Sequence, residues 1–317
     1  MKIILTILFF ALNLCFFPTL GVGATFFNEN FDDTNFSSRG WYDGPTGAVD
    51  TNVHIPGSTA SLKCHFLQGG TKCNPADGDY TLRHKFTASD SVYVSYWVKH
   101  SANWVGSGKT YHPHQFFILT NLNGDYDGMA WTHLTAYVEE NQGYPQLNIQ
   151  DGQNIDMTKI GVDLTNVTES RSIGGCNGTQ PSLGQDYVDC YPSGSMYWNG
   201  IDWKGPTAYF FDAAQIVNWH QVEAYYQLNT IANGKGQPNG IVRYWYDGQL
   251  VIDHSNVIIR TAQNPTMQFD QLVFSPYIGD GSPADQTFWI DNLTVASAKS
   301  GGSPTSVPSA PVNLRVQ

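Results

Sequence analysis

The sequence predicts an all-β fold built as an antiparallel β-sandwich, and three observations support this. Only 14% of the 317 residues are charged, and five Glu stand against twenty-two Asp, while Gly (31) and aromatic residues (14%) are abundant. This composition is poor for helices and good for strands. Runs of strand length with alternating polar and apolar residues recur along the chain, separated by Gly-, Asn- and Pro-rich segments. Strands with one polar and one apolar face are typical of an antiparallel sandwich.

The predicted strands follow from these runs. In chain order they cover residues 80–86, 92–100, 115–120, 220–229, 241–246, 250–252, 268–274 and 287–295. Asp247-Gly248 separates two of them and is a strong signal for a tight hairpin turn. Residues 165–205, rich in Gly, Asn and Pro, are predicted to form the longest loop.

The ends of the chain differ from the middle. Lys2 precedes an apolar run over 3–17, and Val22-Gly23-Ala24 fits a small-residue cleavage site, so residues 1–24 are predicted to be a secretory signal peptide. Residues 25–297 are expected to form the sandwich, and 298–317 a Pro/Ser/Gly-rich, linker-like tail. The predicted location is extracellular or periplasmic. The net charge is −11, and the sequence has no run of basic residues. Both observations argue against nucleic-acid or membrane partners.

Because the protein is predicted to be exported, its cysteines are expected to form structural disulfides. Four remain after the predicted cleavage, and three pairings are possible. Neighbour pairing, Cys64–Cys73 and Cys176–Cys190, is the simplest, with each bridge closing one loop. Thiolate metal ligation would need a reducing compartment and closer spacing.

The last third of the chain carries a family resemblance. Its residues are NWHQVEAYYQLNT over 218–230, GIVRYWYDG over 240–248 and FWIDNL over 288–293. These blocks resemble the end of secreted concanavalin-A-like jelly rolls of the polysaccharide-lyase group, which includes glucuronan-, alginate- and heparin-lyase-like proteins. The resemblance implies a jelly roll and a β-elimination reaction on a uronate-containing polysaccharide, with no cofactor required.

Strand alternation predicts one face suited to sugar binding. Flat rings and hydrogen-bonding groups on it would contact the apolar patches and polar rims of a sugar. The predicted substrate-binding residues are Arg83, Tyr93, Trp97, Lys99, Glu223, Gln227 and Trp245. The alternative is structural: a cross-strand Glu223–Arg243 pair, with the aromatic side chains filling the sheet.

The lyase chemistry suggests a second set of residues, assigned by role. A lyase of this group neutralises the uronate carboxylate, removes the proton at C5 and protonates the leaving oxygen. The predicted catalytic residues are His112, His114, Gln115, Tyr225 and Arg243. His114 or Tyr225 would be the base, and Gln115 and Arg243 would neutralise the carboxylate. His114 and Gln115 share one face only if the strand bulges near Pro113.

A retaining glycosidase is not expected. Such enzymes need two carboxylates a short distance apart on one face. Glu139 and Glu140 are adjacent, so on a strand they point to opposite faces, and Glu223 has no acidic residue two positions away.

Two groups of residues could each form a metal site or have an ordinary structural role. His112 and His114 share one face of a strand and would chelate zinc or copper with His133 or His100 as a third ligand. Oxygen-bearing side chains alternate at Asn121, Asn123, Asp125 and Asp127 and would suit a structural calcium ion. The alternatives are surface histidines and an Asx-rich turn.

The sequence therefore predicts a secreted polysaccharide lyase. A non-catalytic, lectin-like glycan-binding protein is the first alternative, and a copper- or zinc-binding protein centred on His112, His114 and His133 is the second. Polysaccharide is the expected partner in the first two cases.

Overall fold

The computed structural model describes residues 23–109, 112–129, 132–141, 143–151, 187–193, 196–206, 216–262 and 264–300. A 3₁₀ helix covers Phe36–Arg39. The strands are β1 (Thr25–Glu29), β2 (Tyr42–Gly44), β3 (Ala48–Asp50), β4 (Ser61–Phe66), β5 (Thr81–Ser89), β6 (Ser91–His100), β7 (His114–Thr120), β8 (Thr135–Asn141), β9 (Tyr144–Asp151), β10 (Tyr187–Ser193), β11 (Met196–Lys204), β12 (His220–Gln227), β13 (Ile231–Ala232), β14 (Lys235–Gly236), β15 (Gly240–Tyr246), β16 (Gln249–Val257), β17 (Phe269–Tyr277) and β18 (Gln286–Ala296).

Two eight-stranded antiparallel sheets form most of the described part of the chain. Sheet I has the order β16-β15-β12-β6-β18-β4-β3, with β1 also paired to β18. Sheet II has the order β10-β11-β9-β8-β7-β17-β5-β2. The hairpin β13–β14 stands apart from both. The predicted antiparallel β-sandwich is confirmed.

The core lies between the two sheets because each sheet has one apolar face. Val94, Val222 and Tyr244 of sheet I belong to the same buried cluster as Ile118 and Phe274 of sheet II. Each of these residues is at most 1% exposed. Burying both apolar faces against each other removes them from water, which is the main force holding such a fold together.

The predicted strands are confirmed, with small shifts at their ends, and so is the hairpin turn. Asp247 and Gly248 both have positive φ, 49° and 77°, as a two-residue turn of this type requires. Every predicted strand lies in one of the two sheets.

The predicted loop over 165–205 is wrong in its last part, where β10 and β11 pair with each other and β11 pairs with β9. Pro192 in β10 and Gly200 in β11 are residues typical of loops, so these segments do not show the pattern expected of strands. Among the described strands β10 is the last in sheet II, and proline is tolerated at such a position because a strand at the end of a sheet has only one neighbour to pair with.

The first predicted disulfide, Cys64–Cys73, is confirmed, and it joins the end of β4 to the loop that follows. Cys190 lies in β10, while its predicted partner Cys176 lies outside the described residues. Most of the predicted signal peptide also lies outside them, and β1 begins directly after Ala24. None of the helices in the described part of the chain has the length and hydropathy of a membrane span.

Candidate functional site

One row of side chains crosses the outer face of sheet II, at right angles to its strands. Backbone pairing places five residues side by side on β17, β7, β8, β9 and β11. We call them the histidine row: Tyr277, His114, Glu139, Gln146 and Lys204. Their neighbours on the strands, such as Val138, Leu147 and Trp203, point into the core, so the row itself faces outward.

A histidine–carboxylate pair lies at the centre of this row. His114 Nδ1 contacts Glu139 Oε1. The other carboxylate oxygen, Oε2, accepts hydrogen bonds from Asn141 Nδ2 at 3.1 Å and Asn148 Nδ2 at 2.8 Å. Since a carboxylate only accepts, Nδ1 carries the hydrogen and the lone pair of the neutral ring lies on Nε2. Glu139 is 1% exposed, whereas the His114 side chain is 22% exposed.

His112 and Tyr277 surround His114. The rings of the two histidines are 4.3 Å apart, and the Tyr277 ring is 5.4 Å from His112 and parallel to His114 at 6.5 Å. Burial, followed by the neighbouring His114, lowers the pKa of His112 to about 3. His112 is therefore neutral at physiological pH. Tyr277 is 38% exposed and is one of the most exposed large hydrophobic residues in the described part of the chain.

The opposite end of the row carries amides and a cation. Gln146 accepts a hydrogen bond from Asn141 and donates one to Asn148 Oδ1 at 2.8 Å. Lys204 stands opposite Gln146 in the register and is exposed. The row thus presents a basic nitrogen, a phenol and a cationic end on one surface.

Gln115 does not join this group, which corrects the prediction. The register shifts between His114 and Phe116, but Gln115 still points inward and is 1% exposed. Its Oε1 accepts a hydrogen bond from Tyr96, and its Nε2 donates one to Glu140. Glu140 in turn pairs with His100 in the core, so the adjacent Glu139 and Glu140 point to opposite faces as their positions predict.

Most of the other predicted residues lie on the opposite side of the sandwich. Tyr96, Val98, Tyr226 and Tyr244 point into the core, so the residues that alternate with them face outward from sheet I. We call this outward surface the aromatic face, formed by Tyr93, Trp97, Lys99, Glu223, Tyr225, Gln227, Arg243 and Trp245.

The prediction that His114, Tyr225 and Arg243 share one site is therefore wrong, because the core separates the two faces. Tyr225 donates its hydroxyl hydrogen to Gln227 at 2.8 Å. Arg243 stands opposite Tyr225 and pairs with Asp253 at 2.7 Å. The alternative Glu223–Arg243 pair is also wrong, since Glu223 pairs with Lys299.

Arg83 lies on sheet II but is 3% exposed and serves as an anchor, not as an open substrate contact. Its guanidinium donates to Asp43 at 2.6 Å, to Gln271 at 2.9 Å and to the carbonyl of Asp127 at 2.9 Å. These bonds fasten the loop between β7 and β8 to the outer face of sheet II.

The residues predicted to hold calcium have separate protein partners within and around this loop. Their partners are the backbone N–H of Gln268 for Asn121, the N–H of His133 for Asn123, the ammonium of Lys85 for Asp125 and the N–H of Gly124 for Asp127. The calcium site at these four residues stays a prediction.

For zinc or copper, the structure brings His112 and His114 together, with their ring centres 4.3 Å apart. Across the described ranges, no group of three or more His, Cys, Asp or Glu side chains is arranged to hold a metal ion.

Five residues of this surface were not predicted as site residues from the sequence: Glu139, Gln146, Asn148, Lys204 and Tyr277. A signal for β9 was present, since residues 146–150 read Gln-Leu-Asn-Ile-Gln, a strict alternation of polar and apolar residues. Nothing comparable marks Lys204 or Tyr277, whose positions depend on which strands become neighbours.

Comparison with known proteins supports the fold. The structure is similar to that of the marine PL-14 alginate lyase from Aplysia kurodai, with a TM-score of 0.54 and 13% identity, covering 86% of this chain and 99% of that one. It is also similar to the alginate lyase vAL-1 from a Chlorella virus, with a TM-score of 0.52 and 13% identity, covering 88% and 100%. No family model matches the sequence, and no curated protein matches it. This protein therefore has a jelly-roll sandwich like that of those two lyases. At 13% sequence identity, the similarity shows a shared fold and nothing about activity.

Proposed function

We propose that this protein is a polysaccharide lyase that cleaves a uronate-containing glycan by β-elimination on the outer face of sheet II. The observation that carries the proposal is the pair of His114 and Glu139 at the centre of a row with Tyr277 at one end and Lys204 at the other. This assignment replaces Tyr225, Gln115 and Arg243 by residues that share one surface.

Each step of the reaction has a candidate residue in the row. His114 Nε2 takes the proton from C5 of the uronate, and Glu139 stabilises the charge that develops on the imidazole ring. The electron pair of the C5–H bond forms the C4–C5 double bond while the C4–O bond breaks. Tyr277 supplies the proton that the leaving oxygen takes.

The uronate carboxylate is bonded directly to C5 and therefore lies close to His114, where the nearby amides of Gln146 and Asn148 offer polar contacts. Lys204, three strands from His114, adds a positive charge that attracts the polyanion. Neutralising the carboxylate stabilises the negative charge that spreads onto it when C5 loses its proton. A local cation of this kind allows an acidic protein of net charge −11 to bind a polyanion.

Alginate is the first polymer to test, because the two similar structures are of alginate lyases. Secretion, proposed from residues 1–24, would place the enzyme where such polymers occur. No metal or cofactor has a step in this scheme.

The test is ultraviolet absorbance over time as the protein, expressed without residues 1–24, is mixed with polyuronates, glycosaminoglycans and neutral glucans. β-Elimination leaves a double bond conjugated with the carboxylate, so a rise with one polymer and none with His114→Gln would support the proposal. An absorbance that stays constant with every polymer would contradict the proposal.

A second candidate function, glycan binding without cleavage, is favoured by one observation on sheet I. The aromatic face carries Trp97, Lys99 and Gln227 partly exposed on neighbouring strands, a surface suited to stacking against sugar rings. Retention of the protein on immobilised polymer that Trp97→Ala abolishes and His114→Gln leaves intact would support it. Equal retention of both variants would contradict it.

A further inference from the structure

The C-terminal end of the described chain folds back over sheet I. Beyond β18, Ser297 accepts a hydrogen bond from Ser91 at its carbonyl and exchanges two with Ala24. Two residues later, the Lys299 side chain reaches the aromatic face.

Lys299 enters a group of three side chains from three adjacent strands. Glu223 on β12 lies beside Trp245 on β15, and Tyr93 on β6 lies diagonally next to it. Lys299 Nζ is 2.6 Å from both carboxylate oxygens of Glu223 and 4.8 Å from the centre of the Trp245 ring. The Tyr93 hydroxyl donates to Glu223 Oε1 from the other side. We call Tyr93, Glu223 and Trp245 the ammonium box.

We propose that the ammonium box is a binding site for a primary ammonium group, and that Lys299 occupies it as a latch that holds the C-terminal segment to sheet I. The inference concerns the face opposite the histidine row and does not depend on the lyase assignment.

Burial makes the pairing necessary. Glu223 is 3% exposed, and an ionised carboxylate in such a position is costly without a partner. The residues opposite Glu223 on both neighbouring strands are Ser95 and Trp245, which carry no charge. The nearest arginine on the face, Arg243, is paired with Asp253. Within the part of the chain that the structure describes, Lys299 is the cation that forms a salt bridge with Glu223.

The geometry suits an ammonium group. Both carboxylate oxygens lie 2.6 Å from one nitrogen atom, so a compact point charge with several N–H donors satisfies them together. The face of Trp245 adds a cation–π contact, which is strongest for an indole ring.

Chemical rescue of a Lys299→Ala variant tests the proposal. Removing the lysine side chain leaves Glu223 buried without its cation and the box open, so the melting temperature should fall. Ethylammonium chloride should then raise the melting temperature along a saturable curve, whereas tetramethylammonium chloride at the same ionic strength should not, because it cannot donate a hydrogen bond. The same saturable rise in wild type, whose box is already filled, would contradict the proposal.

Two control variants separate this effect from general salt effects. Lys109→Ala breaks an exposed ion pair with Asp280 and should show no saturable response. The double variant Glu223→Gln/Lys299→Ala should also show none, because the amide removes the negative charge. An equal response in all variants, or none in Lys299→Ala, would overturn the proposal.

A measurement on the wild-type protein covers the case in which Lys299→Ala does not fold. Acetylation of lysines by acetic anhydride, followed by mass spectrometry, should modify Lys299 about tenfold more slowly than Lys109, the ratio that corresponds to ~1.4 kcal/mol of protection. The Lys299 side chain is 33% exposed and that of Lys109 49%, so exposure alone predicts similar rates. Equal rates would overturn the latch.

Discussion

Individual residues of the histidine row have separable roles, and Glu139 is the first to test. Glu139→Gln keeps the shape of the side chain but removes the charge that fixes the Nδ1 hydrogen of His114. The turnover number should fall by about 100-fold or more, the usual contribution of a positioned acid or base. The matched control is Asp247→Asn, which alters a similar histidine–carboxylate pair, His220–Asp247, on sheet I. A turnover unchanged in Glu139→Gln, or reduced equally in both variants, would contradict the assignment.

Lys204 should act on substrate binding and on its salt dependence. Lys204→Met should raise KM for a polyuronate and flatten the dependence of KM on ionic strength, because one attraction between the enzyme and the polyanion is lost. Steady-state kinetics at low and high salt measures both effects. Lys235→Met, on the exposed β13–β14 hairpin, is the control and should change neither. An unchanged salt dependence in Lys204→Met would remove Lys204 from the substrate path.

His112 makes the folded protein sensitive to acid. Its folded pKa of about 3 lies below the ordinary histidine pKa of 6.5, so between these pH values the unfolded chain binds a proton that the folded chain does not. Its contribution to stability is complete above pH 6.5 and is lost as the pH falls towards 3. His112→Gln should therefore lose less stability than wild type between pH 7 and pH 4.5, as urea unfolding at about these two pH values would measure. Equal losses would show that His112 does not titrate in this way.

At the scale of elements, the loop between β7 and β8 depends on one buried guanidinium. Arg83→Lys keeps the charge but loses the fork that reaches Asp43, Gln271 and the Asp127 carbonyl together. Leaving such buried groups without partners should lower the free energy of unfolding by about 1–3 kcal/mol. Hydrogen exchange should increase most in residues 121–129. Arg243→Lys, which alters a partly exposed pair with Asp253, is the control and should cost less.

Some strands can be predicted from the sequence pattern and others cannot. β6, β12 and β15 alternate cleanly because one face of each strand packs in the core between the sheets and the other faces outward from sheet I, so the sequence predicts their positions. β10 and β11 were not predicted because Pro192 and Gly200 interrupt their runs, while the pairing that forms them is between main chains.

At the scale of the whole molecule, the two faces of the sandwich should be functionally independent. Tyr225→Phe removes the hydroxyl once predicted to be a base, on the face that the core separates from the histidine row. Lyase activity should stay unchanged in Tyr225→Phe and be lost in His114→Gln, when both are measured by the absorbance assay on the same polymer. Loss of activity in Tyr225→Phe with unchanged melting temperature would return the chemistry to sheet I.

The sequence by itself determined the all-β class, the main strands, the Cys64–Cys73 bridge and, within the predicted strands, the face on which each polar residue lies. These properties depend on neighbours along the chain, whose spacing alone fixes the alternation of side chains. His112 and His114 were found as site candidates for the same reason.

Only the tertiary structure decided which strands became neighbours, and therefore which faces form one surface. β7 joined β8, β9 and β11, which gave His114 the partners Glu139, Gln146 and Lys204 and separated it from Tyr225. Strands distant in sequence pair because the pairing buries the apolar faces of both sheets in one core. This burial is a property of the whole folded chain, so no local sequence pattern contains it.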